Sequence, residues 1–271
     1  MDLKTIADTP PWDWPDDAEE TFLRILRDDQ AAESDRVLAA ELAGDITVIN
    51  DELAGVLLSI LCSGNESDEV RGQAAISLGP ALEIAYTHEF EDPDDVLISE
   101  QAFRRIRETF RELYMDDDIP KTVRRRILEG SVHAPQNWHE DAVRSAYSSK
   151  DEDWKLTAVF SMCFVRGFDD EILESLDSEN PDIHYHAVCA AGNWELDAAW
   201  QHIVALVTSE ETEKSLLLAA IETLASINPQ EAAPIIVNLT DSDDEDIAEA
   251  AYEAISMTDE FLDDESDPLL N

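Results

Sequence analysis

The chain has 271 residues, of which 44% are apolar, enough to build a continuous hydrophobic core. Its 63 acidic residues far outnumber its 18 basic ones, and the formal net charge is −45. A surface of this sign repels nucleic acids and anionic membranes, so neither is expected as a partner. The acidity fits adaptation to high salt and it fits a basic partner, and the sequence leaves both interpretations open.

Three cysteines lie in apolar helical contexts and predict small buried side chains in a reducing compartment: Cys62, Cys163 and Cys189. The N-terminus has neither a basic start nor an apolar run. The longest nearly apolar run, Leu53 to Cys62, is too short to cross a bilayer. We therefore expect a cytoplasmic protein.

Residues 1–30 are predicted to form an extension followed by a capping helix, which the amphipathic stretch Asp16 to Asp29 supplies. Three prolines predict an extended entry to this helix: Pro10, Pro11 and Pro15. Trp12 and Trp14 are expected to fold over the exposed end of the core. At the other end, residues 258–271 are predicted to form an acidic tail.

A repeated pattern occupies residues 31–257. Each copy begins with polar or acidic residues and an apolar anchor, and small or apolar residues follow four, five and eight positions on. The anchors are Val70, Val123, Trp154, Ile183, Leu216 and Ile247. Their spacings are 53, 31, 29, 33 and 31 residues, and the long first spacing predicts an insertion near residues 86–100. A weaker copy places Val37 at the start of the array.

A second apolar helix lies between successive anchors, with Asp, Ser, Asn or Pro at the start of the next helix. No segment has the strict alternation of a half-buried strand. A single helix pair cannot cover its own apolar face, so stacked pairs must share one core. The predicted fold is therefore all-α, an α-solenoid of stacked helix-turn-helix repeats.

The segment DEVRGQAAISLG, Asp68 to Gly79, resembles the first helix of short HEAT repeats of the phycobilin-lyase type. That pattern reads D-x-x-V-R-x-x-A-A-x-A-L-G, and the tetratricopeptide and ankyrin signatures are missing. The resemblance implies that one polar position of each first helix reaches an aspartate of the neighbouring repeat and forms a ladder. That position is occupied by Arg71, Arg124, Lys155 and His184.

The stretch Glu179 to Trp194 contains His184, His186 and Cys189, which suggests part of a metal site. On a helix the two histidines are turned about 200° apart and cannot share a metal from one face. We therefore interpret the stretch as a helix.

Two His-Glu pairs suggest an iron site that resembles the one of HEAT-repeat deoxyhypusine hydroxylase: His88-Glu89 and His139-Glu140. One pair lies in the insertion and the other at the start of a second helix; neither aligns with the other or precedes an A-A-x-A-L-G run, so the sequence argues against such a site. The chain also lacks GxGxxG, P-loop, GxSxG, HExxH and CxxC motifs. We expect no metal, no cofactor and no enzymatic activity.

Basic residues are concentrated in one segment of this acidic chain. Between Arg104 and Arg126, seven arginines and Lys121 face five acidic residues, which gives a local charge of +3. The candidate binding residues are Arg104, Arg107, Arg111, Arg124, Arg125 and Arg126. One interpretation is internal pairing with Asp116 to Asp118 and with acidic residues of the insertion. The other is a site for an anion or an acidic segment.

The repeat array and the missing catalytic motifs favour a non-catalytic interaction scaffold. We expect the second helices to line a concave, mostly acidic groove that holds a basic or apolar segment of a protein partner. The alternatives are a repeat enzyme of the chromophore-lyase type and an anion-binding module that uses the arginines between Arg104 and Arg126. A repeat-type DNA glycosylase would need a basic groove and conflicts with the charge.

Overall fold

Residues 2–90, 92 and 95–264 are described by a computed structural model, with side chains as far as Ser256. The regular structure of this described part is entirely helical and contains no strand. Successive helix pairs stack on one another around shared apolar side chains. The predicted all-α solenoid architecture is therefore confirmed.

The chain divides into two compact units, residues 1–142 and residues 143–271. Nothing in the repeat pattern predicted a division at this point. The boundaries predicted at residues 30 and 257 remain predictions, and the acidic tail, residues 258–271, lies outside the described side chains.

In unit 1 the helices form two layers and one extra element. The first-helix layer contains α3 (Glu33–Ala43), α5 (Asp68–Ile76) and α8 (Lys121–Ser131). The second-helix layer contains α2 (Ala18–Leu26), α4 (Asp51–Cys62) and α7 (Glu100–Met115). The short α1 (Leu3–Ala7) packs on α2 and α3, and α6 (Gly79–Thr87) packs on α7 and α8. The helix α9 (Asn137–Tyr147) contains the boundary between the units.

Unit 2 continues the alternation of first and second helices. Its first helices are α10 (Glu152–Ser161), α12 (Pro181–Asn193), α14 (Lys214–Ile227) and α16 (Glu245–Asp264). Its second helices are α11 (Asp169–Ser175), α13 (Trp200–Thr208) and α15 (Pro229–Ile236). Short 3-10 helices precede α13 and follow α15, at Asp197–Ala199 and Val237–Asp241.

The predicted repeat period agrees with the burial of side chains. The residue four positions after every anchor is completely buried, namely Ala74, Ile127, Ala158, Ala187, Ala220 and Ala251. Several helices also begin at the predicted polar caps: the Asn50 side chain accepts from the amide of Leu53 at 3.1 Å, and the Asn180 side chain accepts from the amide of Asp182 at 3.0 Å. The periodicity therefore identified the core-facing side of the first helices.

The first helices approach each other more closely than the second helices do within each unit. Gly130 of α8 explains one such approach, because a Cβ atom at this position would lie 2.2 Å from the carbonyl oxygen of Ala75 in α5. Small side chains in the first-helix layer therefore allow backbone-to-backbone packing.

The weak first copy of the repeat was placed in the wrong register. Arg36 donates to the carbonyl of Leu26 at 3.0 Å, and Arg71 donates to the carbonyl of Leu61 at 2.9 Å. Each arginine thus reaches a carbonyl ten residues upstream, which makes Arg36 the equivalent of Arg71. Val37 is therefore not the counterpart of the anchor Val70, which precedes Arg71.

The N-terminal prediction was correct for Trp14 and wrong for Trp12. Trp14 packs against Phe22 with ring centroids 5.5 Å apart, and its indole nitrogen donates to the Thr9 carbonyl at 2.8 Å. Trp12 is 79% exposed because it lies in the 3-10 helix Pro11–Asp13, turned away from the core. The helix α1 and this 3-10 helix replace part of the predicted extended entry.

The long first spacing contains an additional helix as well as a loop. The helix α6 begins at Gly79, directly after α5, and the chain then runs through residues 88–99 to α7. Glu89 and Phe90 have positive φ angles of 50° and 59° in this segment. The predicted insertion therefore coincides with the connection between α6 and α7.

Candidate functional sites

The six candidate arginines are distributed over α7 and α8 in unit 1. Arg104 is exposed and pairs with Glu100 on its own helix. A guanidinium nitrogen of Arg124 lies 3.0 Å from Asp117, in the turn between the two helices. The Arg124–Asp117 pair belongs to the predicted internal pairing, whereas the Glu100 contact was not predicted.

Arg125 and Arg126 share the carboxylate of Glu129, at 3.7 Å and 2.6 Å respectively. Glu129 is one turn further along α8, just outside the segment in which charges had been counted. The stem of Arg126 also packs on α5, because a Cβ atom at Gly72 would lie 2.9 Å from its Cγ. These arginines are therefore held by structural contacts.

Arg107 and Arg111 differ from the other four. Neither forms an ion pair with a residue that the structure describes. The Arg107 guanidinium lies 5.0 Å from the centroid of the Phe103 ring, and one of its terminal nitrogens is 3.5 Å from the carbonyl oxygen of Pro135. Burial lowers the pKa of Arg107. Arg111, one helical turn further on, is exposed.

His139, a member of one of the two His-Glu pairs, is completely buried. Its Nδ1 accepts from the amide of Gln136 at 2.8 Å, so its Nε2 carries the proton and donates to Ser131 Oγ at 2.9 Å. Ser131 in turn donates to the Leu128 carbonyl at 3.1 Å. Burial, with the charge of Arg107 as a further cause, lowers the pKa of His139 to about 3. Both ring nitrogens form hydrogen bonds within the protein, so this imidazole is neutral and has no free nitrogen to bind a metal ion.

The second candidate site is an open groove of about 640 Å3 in unit 2. Three consecutive first helices line it, each with residues spaced one turn apart. The contributing residues are Tyr185 and Cys189 from α12, Ser215, Leu218, Ala219 and Glu222 from α14, and Asp246, Glu249, Ala250, Glu253 and Ala254 from α16. We call this surface the α12–α14–α16 groove.

The α12–α14–α16 groove has acidic walls and an apolar floor. Asp246 pairs with Lys214 at 2.6 Å, which neutralises one end. Glu222, Glu249 and Glu253 are exposed and form no ion pair with a described residue. Burial raises the pKa of the Cys189 thiol, and the charge of Glu222 acts in the same direction. The groove therefore has a net negative charge.

The prediction that second helices line the binding groove remains a prediction, and the α12–α14–α16 groove lies on the other helix layer of unit 2. The α12–α14–α16 groove is built from first helices, whose alanines let neighbouring helices pack closely and leave their carboxylates on a shared surface. In unit 1, a smaller cleft of about 180 Å3 does lie between the second helices α4 and α7, with Asp51 and Arg105 in its lining.

Of the four predicted ladder positions, Arg124 does pair with an aspartate, Asp117 in the turn between α7 and α8, and the other three contact different partners. Arg71 contacts a backbone carbonyl, Lys155 lies 3.9 Å from Glu174, and the Nε2 atoms of His184 and His202 are 3.0 Å apart. Each side chain contacts a different kind of partner, so no uniform aspartate ladder connects the repeats.

The predicted helix at Glu179 to Trp194 is confirmed as α12, and it separates its two histidines. His184 contacts His202, whereas His186 packs edge-on against Phe160 with ring centroids 5.2 Å apart. In the described part of the chain, no group of three or more His, Cys, Asp or Glu side chains is arranged to hold a metal ion. Likewise, no described helix has the length and apolar character needed to span a membrane.

Comparison with known proteins supports the repeat assignment. Residues 169–256 match the family model described as HEAT repeats, which covers α11 through the described side chains of α16. The predicted HEAT repeats are confirmed in this region, and the stacked helix pairs of unit 1 have the same alternation. No curated protein matched the sequence. The narrower resemblance to phycobilin-lyase repeats remains a prediction.

Three similar solved structures have low sequence identity to this chain. An engineered protein is 16% identical, with a TM-score of 0.44, over 76% of this chain and 96% of its own. Human deoxyhypusine hydroxylase in complex with glycerol is 14% identical, with a TM-score of 0.41, over 95% and 96%. An archaeal HEAT-like repeats protein from Thermococcus onnurineus NA1 is 16% identical, with a TM-score of 0.40, over 89% and 97%. Similarity at this level carries no argument about activity.

Proposed function

We propose that the chain is a non-catalytic interaction protein of the cytoplasm, and that the α12–α14–α16 groove binds a basic segment of a protein partner. The observation that carries this proposal is the set of three carboxylates without ion-pair partners among the described residues: Glu222, Glu249 and Glu253. They line a groove floored by Leu218 and small alanines.

The chemistry of the groove favours lysine or arginine side chains as ligands. Their aliphatic stems suit an alanine and leucine floor, and their charged ends would reach the carboxylates of the walls. Tyr185 adds an aromatic ring at one edge, where a cation can contact the ring face. The negative charge of the chain raises the rate at which a basic segment arrives and disfavours nucleic acid and anionic membranes.

The proposal can be tested with a fluorescent helical peptide that has one lysine face and one leucine-alanine face. The triple variant Glu222→Gln, Glu249→Gln, Glu253→Gln removes the three groove charges. The matched control, Glu210→Gln, Glu211→Gln, Asp243→Asn, removes three charges from exposed turns of the same unit. We expect binding by the parent and the control, and a loss of about tenfold or more in the groove variant.

Equal weakening in both variants would contradict the proposal, because it would mean that only net charge attracts the peptide. Cys189 provides a second measurement, since it lines the groove and is partly exposed. Cys62 of unit 1 is exposed, although the sequence predicted a buried side chain, so a bound peptide should slow alkylation of Cys189 and leave alkylation of Cys62 unchanged. Similar protection of both thiols would also count against binding in the groove.

A further inference from the structure

Arg107 and two residues around the start of α9 each have a buried side-chain nitrogen without a hydrogen-bond partner in the protein: Arg107 Nε, Gln136 Nε2 and Trp138 Nε1. All three are N–H donors. Folded proteins satisfy the great majority of buried polar groups with protein or bound ligands and water. Three buried donors without a protein partner in one part of unit 1 make this region a candidate for binding an acceptor from solution.

These donors belong to two neighbouring parts of unit 1. Arg107 of α7 contacts the Pro135 carbonyl, and Gln136 follows directly in the chain. Trp138 packs on Tyr114, two turns further along α7 than Arg107, with ring centroids 4.9 Å apart. The donors therefore lie along the contact between α7 and the turn that begins α9.

This region contains two arginines that form no ion pair with a described residue. Arg107 and Arg111 lie on one flank of α7 without a carboxylate partner. The neighbouring imidazole of His139 is neutral and has both nitrogens engaged, so it offers no acceptor. The charge of Arg107 also contributes to the lowered pKa of His139. An acceptor suited to this place is one that carries negative charge.

We propose that Arg107 and Arg111, together with the indole N–H of Trp138 and the side-chain Nε2 of Gln136, bind an oxyanion of the phosphate or carboxylate type. A guanidinium can present two parallel donors to two oxygens of such a group, and the neutral donors complete its hydrogen bonds. Arg111 is exposed one helical turn after Arg107, so it gives the anion an approach from solvent. This site is independent of the α12–α14–α16 groove.

The competing occupant is the acidic connection between α6 and α7. Phe90 of that connection packs on Phe103 with ring centroids 5.4 Å apart, and Arg107 lies over the same Phe103 ring. The acidic sequence of this connection therefore offers carboxylates as the internal alternative to a free anion. The experiment has to separate an anion that arrives from solution from one that the chain supplies.

The test is an NMR titration of 15N-labelled full-length protein with inorganic phosphate and, separately, with succinate, at constant ionic strength set by chloride. The Trp138→Phe variant assigns the indole signal of Trp138 and keeps an aromatic ring against Tyr114. We expect saturable shifts of the Trp138 indole and Arg107 Nε signals. The stronger of the two titrations identifies phosphate or carboxylate as the preferred group.

Two double variants locate the binding. Arg107→Gln with Arg111→Gln should weaken the anion affinity, measured from the Trp138 indole signal, by roughly tenfold or more. The control, Arg104→Gln with Arg105→Gln, removes the same charge from the same helix and should bind as the parent does. Equal weakening in both, or no saturable shift in the parent with either anion, would overturn the proposal.

A final variant tests the internal occupant, with the acidic residues at 89–95 replaced by their amides. If the site takes a free anion, the Trp138 indole signal without added anion should stay close to that of the parent. If the indole signal moves in this variant and the parent ignores both anions, the carboxylates of the chain fill the site and the proposal is wrong.

Discussion

Arg36 and Glu66 form a bidentate ion pair that is almost fully buried in unit 1. The two nitrogen-to-oxygen distances are 2.5 Å and 2.8 Å, and the side chains are 8% and 14% exposed. Arg36 also donates to the Leu26 carbonyl, so this single guanidinium connects the end of α2, the helix α3 and the turn before α5. Removing either partner would leave an uncompensated charge in the protein interior.

The variant Glu66→Ala should therefore lower the free energy of unfolding by about 3 kcal/mol. Glu52→Ala is the matched control, because it removes the partner of Arg27 from a pair whose side chains are 53% and 55% exposed. Glu52→Ala should lower the free energy of unfolding by less than about 1 kcal/mol. Urea unfolding of both variants measures the difference, and similar losses would show that burial of the Arg36 pair has no special role.

The close contact between α5 and α8 makes a second prediction. Gly130→Ala would place a methyl group 2.2 Å from the Ala75 carbonyl oxygen, so the two backbones must separate. We expect a loss of about 2 kcal/mol in the free energy of unfolding, typical of overpacking. Gly55→Ala in α4 is the control, since nothing lies within 4 Å of its added Cβ. This variant should gain roughly 0.5–1 kcal/mol from helix propensity, and a gain at both positions would contradict the packing argument.

The sequence predicted the repeat period and the buried face of the first helices well. Burial of Ala74, Ala187 and Ala220 follows from helical spacing alone, because small residues recur at the same position in each copy. The predicted register was wrong at Val37. The correct register follows from the equivalence of Arg36 and Arg71, which depends on their contacts with carbonyls ten residues upstream. Spacing along the chain contains no information about those tertiary contacts.

The candidate sites were less predictable than the fold. The arginine cluster was visible as a reversal of local charge, yet Arg107 and Arg124 have identical chemistry and differ only in whether a carboxylate lies nearby. The groove carboxylates of α16 do form a visible stripe, at positions 246, 249 and 253. What the sequence could not specify is which helices meet to form the groove, because that depends on the packing of three separate repeats.

The neutral state of His139 predicts a dependence of stability on pH. Its pKa is about 3 in the folded chain and 6.5 in the unfolded chain, so only the unfolded chain binds a proton between these values. Stability is therefore full above pH 6.5 and falls as the pH decreases towards about 3, by about 2 kcal/mol at pH 5 from this residue. His139→Gln should remove this contribution from the pH profile of the unfolding free energy.

Other groups also titrate on acidification, so the difference between parent and His139→Gln is the informative quantity. An NMR titration gives an independent measurement if the variant folds poorly. The ring carbon signals of His139 in the parent should keep the neutral position down to pH 5. A titration midpoint near pH 6.5 would show that the buried hydrogen-bonded arrangement does not hold the imidazole neutral.

The last prediction concerns the charge of both units. Unit 1 has 33 acidic and 13 basic residues, and unit 2 has 30 acidic and 5 basic residues. Repulsion within each unit should destabilise the folded chain at low ionic strength and weaken as the Debye length falls to about 10 Å at 0.1 M salt. Exposed pairs such as Arg27–Glu52 weaken at the same time, but each contributes little. The melting temperature should therefore rise with added NaCl.

The shape of this rise distinguishes the two interpretations of the acidity. Screening alone is nearly complete at about 1 M salt, where the Debye length is about 3 Å, so a plateau below this concentration would favour an acidic surface kept for a basic partner. A melting temperature that continues to rise well above 1 M would favour adaptation to high salt. Parallel melts in NaCl and KCl control for effects of one cation. The groove triple variant and its matched control, which each remove three acidic charges, should show a shallower initial rise of the melting temperature. A flat or falling curve in both salts would mean that the charges are locally compensated and that self-repulsion has no measurable effect.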